Sequence, residues 1–358
     1  MLLLNPGPVT LTERVRGSLL QPDLCHREDD FYDLQDEARR RLLASHDLDP
    51  AEWSAVLITG SGTAAVECMI AALVPDEGRV LLVENGVYGE RMAQICGCYR
   101  VAHTRLVGEW MKAPDLAAVD AALSTAPGET PFTHLAVVHH ETTTGRLNDL
   151  KALADLCRTR GVRMLVDGVS SFGAEAIDFA DPVLAAVAAT ANKCLHGVPG
   201  AAFVIVRRPA LDTATTRTYY LDLRRLATLQ DQRNTPFTPA VHSYYALVEA
   251  LREFADEGGR AARYDRYSAL SHRVRRGLGA LGVDTVVPVN ESSVVLRAYR
   301  LPARMTYATL HDDLKAEGFV IYAGQGALSK TLFRISTMGN VTSADMDRLL
   351  QCFAKLLG

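Results

Sequence analysis

Short runs of apolar, often β-branched residues alternate along the first part of the chain with longer segments whose apolar residues recur at helical spacing. The runs predict strands at Ala55–Thr59, Val80–Val83, Tyr99–Thr104, His134–Val138, Arg163–Val166, Leu184–Ala188 and Ala201–Val206. The helical spacing predicts helices over Gly62–Leu73, Gly89–Cys98, Pro114–Ser124 and Leu150–Arg160. Such alternation implies an α/β protein with a mostly parallel, seven-stranded sheet covered by helices. Ala201–Val206 follows its predecessor without a long helix between them, which fits an antiparallel strand.

After Pro239 the pattern changes. Residues 239–282 read as one or two long helices broken only at Gly258-Gly259. A strand (Ser292–Leu296), a helix (Tyr307–Glu317), two short strands (Phe319–Ile321 and Thr331–Ser336) and a last helix (Ser343–Leu357) follow. This predicts a smaller α+β C-terminal domain over 251–358, a large domain over 21–250, and an N-terminal segment, 1–20, packing beside the small one.

Composition narrows the functional classes. With 358 residues, 48% hydrophobic and 22% charged, the chain is long enough for these two cores. Its net charge of −4 shows no basic stripe, which argues against nucleic acid as a partner. No apolar run reaches the ~18 residues of a membrane span, and the N-terminus lacks the pattern of a signal peptide. The seven cysteines are odd in number and have no metal-ligand spacing, as expected of reduced thiols in the cytoplasm.

Several strand ends carry chemistry-bearing residues. Gly60-Ser61-Gly62-Thr63 joins a strand to a helix and is either a turn or a cradle for an anion at a helix N-terminus. Tyr88, between Gly86 and Gly89, is either a packed ring or a platform for a flat ligand. His139-His140-Glu141 invites a metal reading, but neighbouring side chains at a strand end point apart, so no metal is expected. The hydroxyls of Thr142–Thr144 follow. Asp167 ends the most apolar strand, as a helix cap or a site group. Lys193 lies in the small-residue stretch Asn192-Lys193-Cys194-Leu195-His196-Gly197. Most lysines are surface charges, but a strand-end carboxylate and a lysine in such a loop are the pair that pyridoxal phosphate needs. The lysine supplies an amine for the aldehyde, and the carboxylate keeps the pyridine nitrogen protonated. Arg334, between Phe333 and Ile335, is either half of an internal salt bridge or a fork for an acidic substrate.

Taken together, these segments resemble the class V aminotransferases of the fold type I pyridoxal-phosphate enzymes, over essentially the whole chain. The resemblance rests on Leu4–Val9, Gly60–Thr63, Asn85–Met92, His140–Gly145, Val166–Gly173, Ala191–Gly200 and Gly318–Tyr322. Asn192-Lys193-Cys194 followed by Gly197-Val198-Pro199-Gly200 is most like the family's phosphonate branch, which exchanges an amino group between an aminophosphonate and pyruvate. The resemblance implies a homodimer with shared sites and pyridoxal 5'-phosphate as cofactor. Lys193 would be the Schiff-base lysine and Asp167 the partner of the ring nitrogen. Tyr88 would stack on the ring and Thr142 would bond its phenolic oxygen. Ser61, Gly62, Thr63 and Asn192 would hold the phosphate, joined by Thr238 from the neighbouring subunit. Arg334 would bind the acidic end of the substrate, with Gly7 and Pro8 closing over it. Ser336-Thr337-Met338 departs from the family's Gly-Asn pattern, residues 231–236 lack an expected tryptophan, and His26-Arg27 is unusual. Arg27 is therefore a further candidate at the substrate end. Other aminophosphonates, alanine–glyoxylate or serine–pyruvate exchange, and a non-catalytic regulator remain as alternatives.

Overall fold

The computed structural model describes residues 1–124 and 130–357. Its central sheet has seven strands in the order Trp53–Gly60, Gly200–Arg207, Leu184–Thr190, Arg163–Asp167, Phe132–Val138, Arg79–Glu84 and His103–Val107. All run the same way except Gly200–Arg207, which is antiparallel to both its neighbours. Successive side chains of a strand point to opposite faces, and here both faces are buried. Leu57, Leu81, Leu135 and Val166 belong to one apolar cluster, while Ile58, Leu82, Ala136 and Leu165 belong to the other. Helices Gly62–Leu73 and Val87–Cys98 supply the second cluster; Asp29–Ala44, Leu150–Arg160 and Val241–Asp256 supply the first. This is the α/β, fold type I arrangement that the sequence pattern and the family resemblance predict.

Two strands sit later than predicted. Tyr99 ends a helix and Arg100 has φ +53°, so the edge strand begins only at His103. The strand predicted at Ser292–Leu296 is Leu296–Arg300. Residues 293 and 294 make other bonds instead: Glu175 accepts from Ser293 Oγ at 2.6 Å and from the Val294 N–H at 2.9 Å. Helix Asp29–Ala44 has no counterpart in the sequence reading; it buries Phe31, Leu34, Ala38 and Leu42 against Tyr244 and Leu247.

The C-terminal part has its own core, which includes Leu270, Tyr299, Leu314, Phe333 and Phe353. Its three-stranded sheet places Leu332–Ser336 between Leu296–Arg300 and Tyr322–Ala323. The first residues of the chain join this part, because Leu2–Leu3 pairs in parallel with Phe319–Val320 and Leu4 O accepts from the Ser336 N–H. Helix Glu13–Gly17 instead leans on Val241–Asp256 through Val15, Ala246 and Ala250. Among the described residues no helix is long and apolar enough to cross a membrane.

Leu165, fully buried two residues before Asp167, gives a direct measure of this core. Leu165→Ala should lower unfolding stability by roughly 2–5 kcal/mol in urea titration. The same change at the exposed Leu20 should stay within about 0.5 kcal/mol.

Candidate active site

In a parallel sheet the C-terminal strand ends share one edge, and loops leaving that edge form a common crevice. Here it gathers Ser61–Thr63 after Trp53–Gly60, Tyr88 after Arg79–Glu84, Glu141 and Thr142 after Phe132–Val138, Asp167 at the end of its own strand, and Asn192-Lys193 after Leu184–Thr190.

Asp167 is registered against Val138 on one side and Ala188 on the other, so both flanking strands fix its backbone. Its Oδ1 accepts from the Val169 N–H at 3.0 Å. Burial pushes its carboxyl up to about 6, against the opposing pull of that bond and of the nearby Lys193 and Arg91 cations. Burial likewise pushes the Lys193 ammonium down to about 8, with Asp167 pulling it back up. Lys193 Nζ donates to the Pro6 carbonyl, so the N-terminal segment lies over the amine. Gly7 has φ +119°, and a Cβ there would meet Lys193 Cδ at 2.8 Å. Only glycine lets this backbone approach the lysine.

Ser61 is the N-cap of Gly62–Leu73 and its side chain makes no capping bond, leaving the helix N-terminus open to an anion. Arg91, one turn after Tyr88, donates from Nη1 to Thr63 Oγ1 at 3.2 Å, and its Cζ lies 4.8 Å from the Tyr88 ring centroid. Asn192 Oδ1 accepts from Thr190 Oγ1 at 2.8 Å. This open helix end and a half-buried guanidinium suit a phosphate; the buried carboxylate suits a pyridinium.

Arg334 is the central residue of the middle strand of the small sheet, registered against Ala298 and Tyr322. It is 2% exposed. Its donors reach the Ala323 carbonyl at 2.7 Å, the Thr142 carbonyl at 2.9 Å and Gln325 Oε1 at 3.4 Å. None of these is a carboxylate, so the salt-bridge alternative for Arg334 is not what the described residues form. Desolvation pushes its guanidinium below the usual range. The Thr142 carbonyl ties it to the Asp167 edge of the large sheet.

The hydroxyls that depart from the family pattern face elsewhere. Ser336 Oγ donates to the Val295 carbonyl at 3.3 Å and Thr337 Oγ1 to the Val294 carbonyl at 2.9 Å. His139 and His140 are buried, and desolvation pushes them down to about 3 and about 4. His140 Nδ1 bonds the Ser170 carbonyl at 3.1 Å. Arg27 and Thr238 are exposed in this single chain, Arg27 in the loop before Asp29–Ala44 and Thr238 beside Thr59 and Tyr220; neither is joined to the crevice. Pro8 is exposed, and its carbonyl accepts from Asn5 Nδ2 at 3.0 Å.

Arg91, Glu141 and Gln325 also stand at the site, although no local pattern singled them out for it. The nearest cue was for Arg91, which stands three residues after Tyr88 at the start of a helix. Gln325 had none.

Known proteins resemble this chain over nearly its whole length. The class-V aminotransferase family profile matches residues 25–349. A 2-aminoethylphosphonate–pyruvate transaminase of Aeromonas hydrophila is 39% identical, over 99% of this chain and 94% of its own. One of Klebsiella pneumoniae is 36% identical, over 98% and 95%. Among solved structures, an alanine–glyoxylate aminotransferase from Nostoc superposes with a TM-score of 0.91 at 26% identity, over 100% of this chain and 95% of that one. A strand-end aspartate, a half-buried lysine and an open helix N-terminus on one sheet edge thus accompany a match to nearly the entire sequence, and the chain belongs to the class-V aminotransferase family.

Proposed function

We propose that this chain is a pyridoxal-phosphate-dependent transaminase that passes an amino group between 2-aminoethylphosphonate and pyruvate, giving phosphonoacetaldehyde and alanine. The observation that carries the reading is Arg334, a buried guanidinium whose partners are all neutral acceptors. The two substrates share little beyond an acidic end, and one desolvated cation within reach of the lysine serves both. The full-length relatives support the choice of phosphonate.

When bound, pyridoxal phosphate supplies an aldehyde for the donor's amine and a ring that withdraws electrons from the donor's carbon. Asp167 would keep the proton on the ring nitrogen. Tyr88 would stack on the ring and Thr142 would bond its phenolic oxygen. Ser61, Gly62, Thr63 and Asn192 hold the phosphate, and Arg91 adds its charge through Thr63. The amine of Lys193, which burial lowers to about 8, would take up and release the proton of the substrate carbon. Residues 5–8 exclude water above it, and Gly7 and Pro8 close over the substrate's acidic end. The exposed Thr238 serves the phosphate of a second copy in a homodimer, and Arg27 stands at the entrance.

Three measurements test this. Purified protein should be yellow, and Lys193→Ala should lose that absorbance together with at least ~10²-fold in rate; protein that never takes up the cofactor would sink the reading. Arg334→Ala should raise KM for 2-aminoethylphosphonate and for pyruvate by roughly 30-fold, about 2 kcal/mol. A rise for pyruvate alone would shift phosphonate recognition to another cation such as Arg27. The third concerns Asp167. Its folded value near 6 exceeds the ordinary 3.8, so the ionised form costs stability above pH 6 and nothing below about 4. In cofactor-free protein Asp167→Asn should therefore gain up to about 3 kcal/mol at pH 7. The gain should vanish as the pH falls from 6 to 4, and a gain that persists at pH 4 would contradict the assigned cost.

A further inference from the structure

Glu141 has no role in the chemistry above, yet it lies fully buried beside it. Its Oε1 accepts from Thr143 Oγ1 at 2.6 Å and from the Thr143 N–H at 3.3 Å. Its Oε2 accepts from the Tyr88 N–H at 3.2 Å. Among the described residues no cation pairs with it. The backbone makes room for this carboxylate: a Cβ on Gly86 would lie 2.2 Å from Glu141 Cδ.

The same Thr143 hydroxyl lies 3.4 Å from Gln325 Oε1, which is itself 3.4 Å from Arg334 Nη1. A hydroxyl has one proton to donate. While Glu141 is ionised, Thr143 gives that proton to it. Once Glu141 is protonated, its own O–H donates to Thr143, and the Thr143 proton turns toward Gln325 and the surroundings of Arg334. The connection therefore has two arrangements, set by the charge on Glu141.

We propose that Glu141 is the internal counter-charge of Arg334: ionised while Arg334 is free, and protonated from solvent when Arg334 holds the acidic end of a substrate, with Thr143 and Gln325 carrying the link. This rests on the reading of Arg334 as the acid-binding cation. An arriving anion neutralises the guanidinium and adds negative charge, and both changes favour the neutral carboxyl. Burial already pushes Glu141 up to about 7, so little further change is needed near neutral pH. The charges that act on it are Asp167 on the adjacent strand and Arg334 itself, while Lys193 and Arg91 act on Asp167 in turn. His139 and His140 are held neutral by burial. Such a device lets one arginine accept a carboxylate and a more highly charged phosphonate in alternate half-reactions without a surplus of buried negative charge. Glu141 is a positioning residue in this account, acting through Arg334.

The test uses holoenzyme and propionate, a carboxylate that cannot react and stays ionised. Calorimetry at pH 8 in two buffers of different ionisation heat should show net proton uptake of a sizeable fraction of one proton per propionate. Affinity should weaken as pH rises above about 7, by up to ~10-fold per pH unit. Glu141→Gln should flatten that dependence and Glu141→Asp restore it. Difference infrared spectra of the unmodified protein, which need no variant, should show a protonated-carboxyl band appearing with propionate. Binding without proton uptake and without that band overturns the counter-charge role and leaves the Arg334 reading standing. If propionate fails to bind, and Arg334→Ala behaves the same, both fall together.

Discussion

Burial raises the free energy of the charges that face the crevice, Asp167 and Lys193 on the central sheet's C-terminal edge and Arg334 opposite them, and among the described residues none of the three has an ion-pair partner. Asp167 is held above its ordinary range, Lys193 below it, and Arg334 below it. A buried charge with incomplete solvation is costly, so a fold that keeps several must gain elsewhere. It does so in the sheet beneath, where both faces are covered and side chains such as Leu57, Leu82, Val137 and Leu165 are almost wholly removed from water. The cleft's electrostatics thus depend on packing a few residues away. Among the described residues the cations that face it, Lys193, Arg91 and Arg334, outnumber the carboxylates Asp167 and Glu141, an imbalance that a small anion would relieve.

Rigidity matters as much as charge. The Asp167 backbone is fixed by neighbouring strands on both sides, and its Oδ1 is held by the Val169 N–H. Arg334 is equally constrained as the middle residue of a middle strand, with its donors shared among the Ala323 and Thr142 carbonyls and Gln325. The N-terminal residues complete the enclosure, paired with Phe319–Val320 at one end and crossing Lys193 at the other. Groups held this firmly apart keep their desolvation cost until a ligand of matching shape and charge arrives, which is the preorganisation a cofactor-dependent site requires.

Much of this was legible in the chain. Alternating strand and helix periods imply a shared C-terminal edge, and the short connection before Gly200–Arg207 marks the one reversed strand. The residues that escaped did so for identifiable reasons. Helix Asp29–Ala44 carries so many charges that its apolar stripe of Phe31, Leu34, Ala38 and Leu42 is diluted. The stretch at Ser292–Leu296 has strand composition, but Glu175, 118 positions from Ser293, captures its bonds. Glu141 was visible only as part of a histidine-rich cluster. What distinguishes it is the space left by Gly86 and the hydroxyl of Thr143, and no local pattern reports such a neighbourhood. Thr238 and Arg27 stay exposed in one chain, so no intrachain contact speaks to the roles the resemblance implies for them.

The residues near Arg334 that depart from the family pattern bear on specificity in an unexpected way. Ser336 and Thr337 follow the arginine by two and three positions, where a changed residue would ordinarily suggest a changed substrate. Both are buried, and both hydroxyls go to the carbonyls of Val294 and Val295, on the segment that Glu175 also anchors. Met338 packs against Cys194, next to the lysine, at 3.8 Å between sulfurs. Their effect is therefore to fasten the arginine's strand to its neighbour and to the lysine loop. On the proposed reading of Arg334 as the acid-binding cation, selection between acids would fall instead to groups that touch the guanidinium or lie within its reach: Gln325, the Thr142 carbonyl, the ring of Tyr322 at 5.9 Å, and, through Thr143, Glu141. Divergence beside Arg334 is divergence in how it is held, and a change in preferred acid would require change at those contacts.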